Sequence, residues 1–161
     1  MGAVTEPDFA ILLSTANRCV ADRLLQAVTA VPGGEAMRSS FGFVLRAVAA
    51  EQPTVSGLAE LLGVTNQAAS RLADEMVSAG FLDRADDPGD RRRTRLQLTD
   101  LGQWVRTAAL AESIAMENEL RRHLGDAAVA EFRTVLTDFV HRNGAADELA
   151  ALRSRTPLTS P

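Results

Sequence analysis

Apolar residues recur at spacings of three and four along most of the chain, a pattern that predicts a mainly helical protein. One helix is predicted from Pro7 or Asp8 to about Val31, where Pro-Gly-Gly follows, and a second over Glu35–Ala50. A long helix is predicted over Asp100–Leu124 and a last one after Gly125, to about residue 143. Their predicted N-caps are Thr99 and Asp126.

Two short helices are predicted in the middle of the chain. Thr54 is the expected N-cap of the first, and Gly63 supplies the turn that ends it. Thr65 caps the second, which ends near Ala79 at Gly80. This is the pattern of a helix-turn-helix.

The next segment, residues 81–99, changes to an alternating pattern. Leu96 and Leu98 share one face of its second run, whereas Arg95 and Gln97 point the other way, as in a half-buried strand. A turn separates two such runs, so the segment is predicted to be a β-hairpin. The residues at its tip are Asp90, Arg91, Arg92 and Arg93.

Helix, turn, helix and arginine-tipped hairpin in this order are typical of a winged helix-turn-helix that binds double-stranded DNA. The expected fold is mainly α with a small β-hairpin wing. Residues 35–99, called the winged-helix segment below, form the predicted DNA-binding domain. The apolar helices of residues 8–34 and 100–143 form a predicted dimerisation region, which we favour over an intrachain bundle because DNA half-site readers are usually two-fold symmetric. The tail, 144–161, is expected to be partly disordered.

The composition narrows the possible functions. The net charge is −4, which argues against nonspecific coating of nucleic acid, and all 17 basic residues are arginine. One cysteine and two distant histidines make a metal site improbable, and we find no catalytic constellation and no cofactor motif, so an enzyme is not expected. With no signal peptide or transmembrane run, a cytoplasmic protein without membrane association is expected.

The polar side chains of the second short helix are the candidates for reading bases. Asn or Gln pairs with adenine and Arg with guanine in the major groove, where the N-terminal half of such a helix usually touches base edges. Thr54 and Ser56 are candidate phosphate contacts near the start of the preceding helix, and the arginines of the hairpin tip are placed at the minor groove. The candidate base-reading residues are Thr65, Asn66, Gln67, Ser70 and Arg71.

These motifs resemble those of the MarR family of bacterial transcriptional regulators. The wing signature is Arg84-x5-Asp90-Arg91-Arg92-x5-Leu98-Thr99-x2-Gly102, and the helix-turn-helix is Leu58-Ala59-Glu60-x-Leu62-Gly63-Val64-Thr65 followed by Ser70-Arg71-Leu72-x-Asp74.

The resemblance implies a homodimeric regulator, by family habit a repressor, that binds a pseudo-palindromic operator. It also implies that Arg84 belongs to the DNA-binding wing and that Asp90 pairs with a nearby arginine to set the turn. Members of the family change their DNA affinity when a small, often aromatic or phenolic, ligand binds between the dimer helices and the DNA-binding domain. Trp104, which begins the long helix beside the wing, either lines that cavity or belongs to the core.

Two alternatives stay open. The net acidity, Asn66 and Glu75, the last two at positions that are often basic in the family, favour a winged-helix protein-interaction module without DNA binding. Cys19 is interpreted as a small buried core residue, but the resemblance adds redox sensing through this cysteine as a rival.

Overall fold

The computed structural model describes residues 8–87 and 89–145, apart from the side chains of 87 and 90–93. Six α-helices and one two-stranded hairpin follow one another along these residues, which confirms the predicted fold class. A short 3₁₀ turn, Gly34–Ala36, stands between the first two helices. The elements are α1 Phe9–Thr29, α2 Phe41–Glu51, α3 Val55–Leu62, α4 Asn66–Ser78, β1 Leu82–Asp87, β2 Asp90–Leu98, α5 Asp100–Leu124 and α6 Asp126–Arg142.

Three threonine N-caps predicted from the sequence are confirmed by hydrogen bonds. The hydroxyl of Thr54 accepts from the backbone N–H of Gly57, that of Thr65 from Ala68, and that of Thr99 from Gly102, at 3.0–3.2 Å. Each threonine satisfies a donor that the first turn of a helix leaves without an intrahelical partner. The starts of α3, α4 and α5 are therefore fixed by local sequence.

The predicted helix over Glu35–Ala50 is wrong in its first part. Gly33 has a φ of 86°, and Met37 is extended with its side chain buried, so α2 begins only at Phe41. A Cβ at Gly34 would overlap the carbonyl oxygen of Val28, which shows how closely this turn packs on the end of α1. Burial of Met37 in the core outweighs the helical periodicity of the segment.

The predicted cap at Asp126 is also wrong. Gly125, with a φ of 83°, occupies the N-cap position and provides no side chain, while Asp126 is the first residue of α6. The carboxylate of Asp126 accepts instead from Arg121 at 2.8 Å. An acidic group in the first turn still interacts favourably with the helix dipole.

The core lies almost entirely within the winged-helix segment. From outside it come Val28 of α1 and Val105 of α5, which pack with the segment's buried residues. The buried aromatic pair Phe41–Phe81 meets edge to face, with ring centroids 6.1 Å apart. The other large, fully buried side chains are Leu45, Leu58, Met76, Leu82, Leu96, Val44 and Val48.

Ion pairs connect α5 with the two helices beside it. Arg23 of α1 donates to Glu112 at 2.7 Å and to Glu119 at 2.8 Å. On the α6 side, Glu117 accepts from Arg121 at 2.7 Å and also from Arg133. These partners lower the pKa of Glu119 and of Glu117, through hydrogen bonds from Arg23 and from Arg121 first of all.

The described part of the chain contains no helix long and apolar enough to cross a membrane. It also contains no group of three or more His, Cys, Asp or Glu side chains able to hold a metal ion.

Candidate nucleic-acid interface

The turn between α3 and α4 is built on Gly63. This residue ends α3 in the left-handed conformation, with a φ of 63°, and the N–H of Val64 donates to the carbonyl of Ala59 at 3.0 Å. The glycine is suited to this position because a side chain at positive φ would be strained. The turn brings α4 against α3 through the buried Ala69 and Ala73.

Four of the five candidate base-reading residues are exposed at the start of α4. Thr65, Asn66, Gln67 and Arg71 lie on its outer surface, whereas Ser70 is half-buried. Ala68, in the same turn of the helix, is also exposed. The polar N-terminal half of α4 thus forms one continuous surface available to a partner.

The two candidate phosphate contacts lie where α3 meets the hairpin. Thr54 is half-buried and Ser56 exposed, and both line an open pocket of about 250 Å³ together with Val55, Arg84 and Thr94. The structure therefore brings three predicted site residues, from α3 and from the wing, into one pocket. A hydrogen bond from the Leu96 N–H to the Pro53 carbonyl, 2.9 Å long, fixes the hairpin beside the start of α3.

The predicted hairpin is present, and its two strands pair antiparallel. Leu82 pairs with Leu98 and Arg84 with Leu96, and the pairing becomes irregular between residues 86 and 87, near the tip. The backbone of residues 90–93 belongs to β2. The predictions for the side chains of Asp90, Arg91, Arg92 and Arg93 lie outside the described residues.

Both acidic residues of α4 are paired with arginines from neighbouring elements. Asp74 accepts from Arg84 of β1 at 2.5 Å, and Glu75 accepts from Arg38, just before α2, at 3.1 Å. Arg38 also lies over the ring of Phe41, with 5.9 Å to its centroid. Arg38 could not be selected from the sequence alone, because its pairing requires the fold to bring residues 38 and 75 together.

The end of α4 is joined closely to the start of α5. The Thr99 hydroxyl donates to the carbonyl of Gly80 at 2.6 Å, and the Thr99 N–H donates to Phe81 at 3.2 Å. A Cβ at Gly102 would overlap the carbonyl oxygen of Phe81. The long helix therefore fixes the position of α4 through backbone contacts as well as side chains.

Two residues that the sequence analysis considered for the core, Cys19 and Trp104, are exposed in the structure. Cys19 is exposed on α1 rather than buried in the core. Trp104 is 62% exposed, so it is not a core residue either, and it does not line the pocket beside Arg84. Both residues lie on apolar helical stripes that the described chain does not cover.

Comparison with known proteins agrees with this geometry. Residues 43–93 match the model of the MarR family. This range runs from the first turn of α2 to the hairpin tip. No match was found among curated proteins.

Solved structures with the same fold extend the similarity to most of the chain. The reduced form of MarR from E. coli is 20% identical, with a TM-score of 0.64, over 84% of this chain and 98% of that one. The YusO protein from Bacillus subtilis is 21% identical, with a TM-score of 0.62, over 83% and 93%. The S. aureus MepR–DNA complex is 21% identical, with a TM-score of 0.64, over 84% and 97%.

Two other similar structures are named as a MarR family transcription regulator and as transcriptional regulator Tm0710 from Thermotoga maritima. The family-model match confirms the resemblance of residues 43–93 to the MarR family, and the solved structures show that the described chain has the same fold as MarR from E. coli.

Proposed function

We propose that the protein is a homodimeric, sequence-specific DNA-binding regulator, a repressor, whose DNA affinity changes when a small ligand binds. The observation that carries the proposal is the surface formed by the polar N-terminal half of α4, the pocket at the start of α3 and the hairpin. A similar structure holds S. aureus MepR on DNA, which supports placing DNA against this surface.

In the proposed complex, α4 enters the major groove. Asn66 and Gln67 are exposed and suited to adenine, while Arg71 is suited to the two acceptors of guanine. Ser70 is half-buried and contributes less contact area. Arg71 is therefore the residue from which we expect the strongest base preference.

Phosphate contacts come from the hydroxyl groups that begin α3 and α4. Thr54 and Thr65 each accept a backbone N–H, and each hydroxyl still has a proton to donate to a phosphate oxygen. Ser56, exposed in the first turn of α3, adds a third hydroxyl, and the helix dipole favours an anion there. The arginines of the hairpin tip, Arg91–Arg93, are proposed to reach the minor groove.

The dimer is proposed to form through the helices outside the winged-helix segment. Phe9 of α1 and Phe139 of α6 meet edge to face, 6.1 Å between centroids, so the two ends of the described chain are neighbours. Other large apolar side chains on these two helices and on α5 also remain exposed, and a monomer rarely exposes a large apolar patch. They are Ile11, Leu12 and Val20 on α1, Leu120 and Leu124 on α5, and Phe132 and Val135 on α6.

We propose a second copy of the chain as the occupant of this patch, because DNA half-site readers are usually two-fold symmetric dimers whose recognition helices lie about one helical turn of DNA, roughly 10 bp, apart. Light scattering on the purified protein tests this arrangement. We expect a dimer for the wild type and a monomer, or a much weaker dimer, for Val135→Asp. Thr134→Asp, which adds the same charge at an exposed position about 100° around α6 from Val135, should leave the mass unchanged.

DNA binding is tested by a selection from random duplexes, followed by titration of the best duplex at several salt concentrations. We expect a pseudo-palindrome and a steep loss of affinity with salt, because bound phosphates release counterions. Arg71→Ala should relax the sequence preference, at about 1–3 kcal/mol for a lost base contact. An absence of any selected sequence would favour the protein-interaction module instead.

The pairing of Glu75 with Arg38 weakens one reason for that alternative, because the negative charge of Glu75 is compensated locally. Ligand response is proposed from the resemblance to the MarR family, with the exposed Trp104 as a candidate contact for an aromatic effector. Screening small phenolic compounds for release of the selected duplex tests it. Cys19→Ser protein that responds to the same inducer as the wild type would exclude redox sensing through this exposed cysteine.

A further inference from the structure

Arg84 connects the hairpin, the pocket at the start of α3 and helix α4. Its backbone belongs to β1, its side chain lines the pocket that begins at Thr54 and Ser56, and its guanidinium donates to Asp74 of α4. Among the described residues that line this pocket, Arg84 is the cationic one. The position of this guanidinium therefore decides whether the pocket is suited to a phosphate.

The contact with Asp74 leaves most of the donors of Arg84 available. A guanidinium has five N–H donors in a rigid planar fork, and the bond to Asp74, 2.5 Å long, uses one on Nη2. Because the group is planar, fixing one of its nitrogens restricts the directions of the others. Asp74 thereby limits the orientations in which Arg84 faces the pocket.

A role in folding stability does not explain the pair well. The side chain of Arg84 is 38% exposed and that of Asp74 63%, and exposed ion pairs contribute little to stability. A carboxylate on the DNA-facing helix also repels phosphates, so by itself it should weaken DNA binding. Asp74 therefore adds little to stability and by its charge alone opposes DNA binding. Its hydrogen bond with the Arg84 guanidinium is the better explanation of its role.

We propose that Asp74 is a positioning residue for DNA binding: it holds the Arg84 guanidinium so that its remaining donors face a DNA phosphate in the pocket at the start of α3. The inference rests on the proposed function. It assigns to an acidic residue a favourable effect on the affinity for DNA, through the arginine that it orients.

The neighbouring acidic residue provides a matched control. Glu75 follows Asp74 on α4, is also exposed and is also paired with an arginine, but its partner Arg38 does not line the pocket. Removing either carboxylate changes the charge of the helix by the same amount. Only the loss of Asp74 releases Arg84.

The test compares Asp74→Ala, Glu75→Ala, Arg84→Ala and the double variant Asp74→Ala/Arg84→Ala. Each full-length protein is titrated with the selected duplex at several salt concentrations, after circular dichroism has shown that its helix content is unchanged. We expect Asp74→Ala to weaken binding about fivefold to tenfold and to lower the salt slope towards that of Arg84→Ala, by about one unit. Glu75→Ala should bind as tightly as the wild type or more tightly.

The double variant distinguishes the effect of Asp74 on the orientation of Arg84 from the effect of its negative charge on DNA. Once Arg84 is absent, Asp74 has nothing to orient, so its removal should leave the affinity unchanged or raise it. The proposal is overturned if Asp74→Ala alone binds as tightly as the wild type, or if its loss is as large in the Arg84→Ala background. If the wild-type protein selects no duplex, the proposed function itself is overturned. If the wild type binds tightly and Asp74→Ala binds equally tightly, only the positioning role of Asp74 is overturned.

Discussion

Replacing Gly102 by alanine tests how closely the winged-helix segment is joined to α5. Gly102 lies buried in the first turn of this helix, and a Cβ there would overlap the carbonyl oxygen of Phe81. The same oxygen accepts the Thr99 N–H at 3.2 Å. Because the obstacle is backbone, it cannot rotate away as a side chain does, so the start of α5 must move.

Two effects of opposite sign determine the result. Alanine is favoured over glycine within a helix by about 1 kcal/mol. Overpacking costs about 1–3 kcal/mol, and a weakened hydrogen bond between Thr99 and Phe81 costs about 1 kcal/mol more. We therefore expect Gly102→Ala to lower the free energy of unfolding by about 1–3 kcal/mol, whereas helix propensity alone predicts an increase.

Urea unfolding followed by far-ultraviolet circular dichroism measures this change. All proteins must be compared at one protomer concentration, since a dimer's apparent stability depends on it. Gly42→Ala is the matched control: Gly42 also lies in the first turn of a helix, and a Cβ there would meet nothing within 4 Å. We expect Gly42→Ala to be neutral or stabilising. Equal or greater stability of Gly102→Ala would refute the packing argument.

Three further predictions concern other parts of the chain. The pKa of Glu117 is lowered by its arginine partners, first Arg121, so its contribution to stability is present above the ordinary value of 4.5 and lost as the pH falls through the lowered pKa. The stability difference between the wild type and Glu117→Gln should therefore shrink during acid titration, and a constant difference would contradict this. Gln52 has a φ of 46°, so Gln52→Gly should raise the unfolding free energy by about 0.5–1 kcal/mol in the same urea assay, and a loss would show that the backbone there is unstrained. Arg92→Ala should weaken binding to the selected duplex by more than about tenfold and lower the salt slope by about one unit, and wild-type affinity in a gel shift would exclude a DNA contact by Arg92.

The N-caps, the turn at Gly63 and the hairpin could be predicted because each depends on residues that are close together in the sequence. The N-cap threonines need only a hydroxyl and the N–H groups two or three residues further on, and Gly63 needs only its own freedom at positive φ. The alternation of Leu96 with its polar neighbours likewise predicted the hairpin, and the observed register confirms it. These features together predicted the winged helix-turn-helix and the residues exposed at the start of α4.

Burial on the outer helices could not be predicted in the same way. An apolar stripe predicts that a helix packs against something, but not whether its partner lies in the same chain. Cys19 was assigned to the core, and Trp104 to the core or to a ligand cavity, yet the described chain leaves both exposed. The helix predicted for the segment before α2 was wrong for a related reason. Met37 is buried by the tertiary fold and not by its neighbours in sequence.

The negative net charge of the chain is compatible with DNA binding when the positions of its charged side chains are considered. The net charge is −4, and α4 itself carries two acidic residues. Both are paired with arginines from neighbouring elements, and on α5 Glu117 and Glu119 are likewise paired, away from the winged-helix segment. A DNA phosphate responds to the charges within about 10 Å at moderate salt rather than to the net charge of the whole protein. The local arrangement of Asp74 with Arg84 is therefore a better guide to the interface than the sum of the charges.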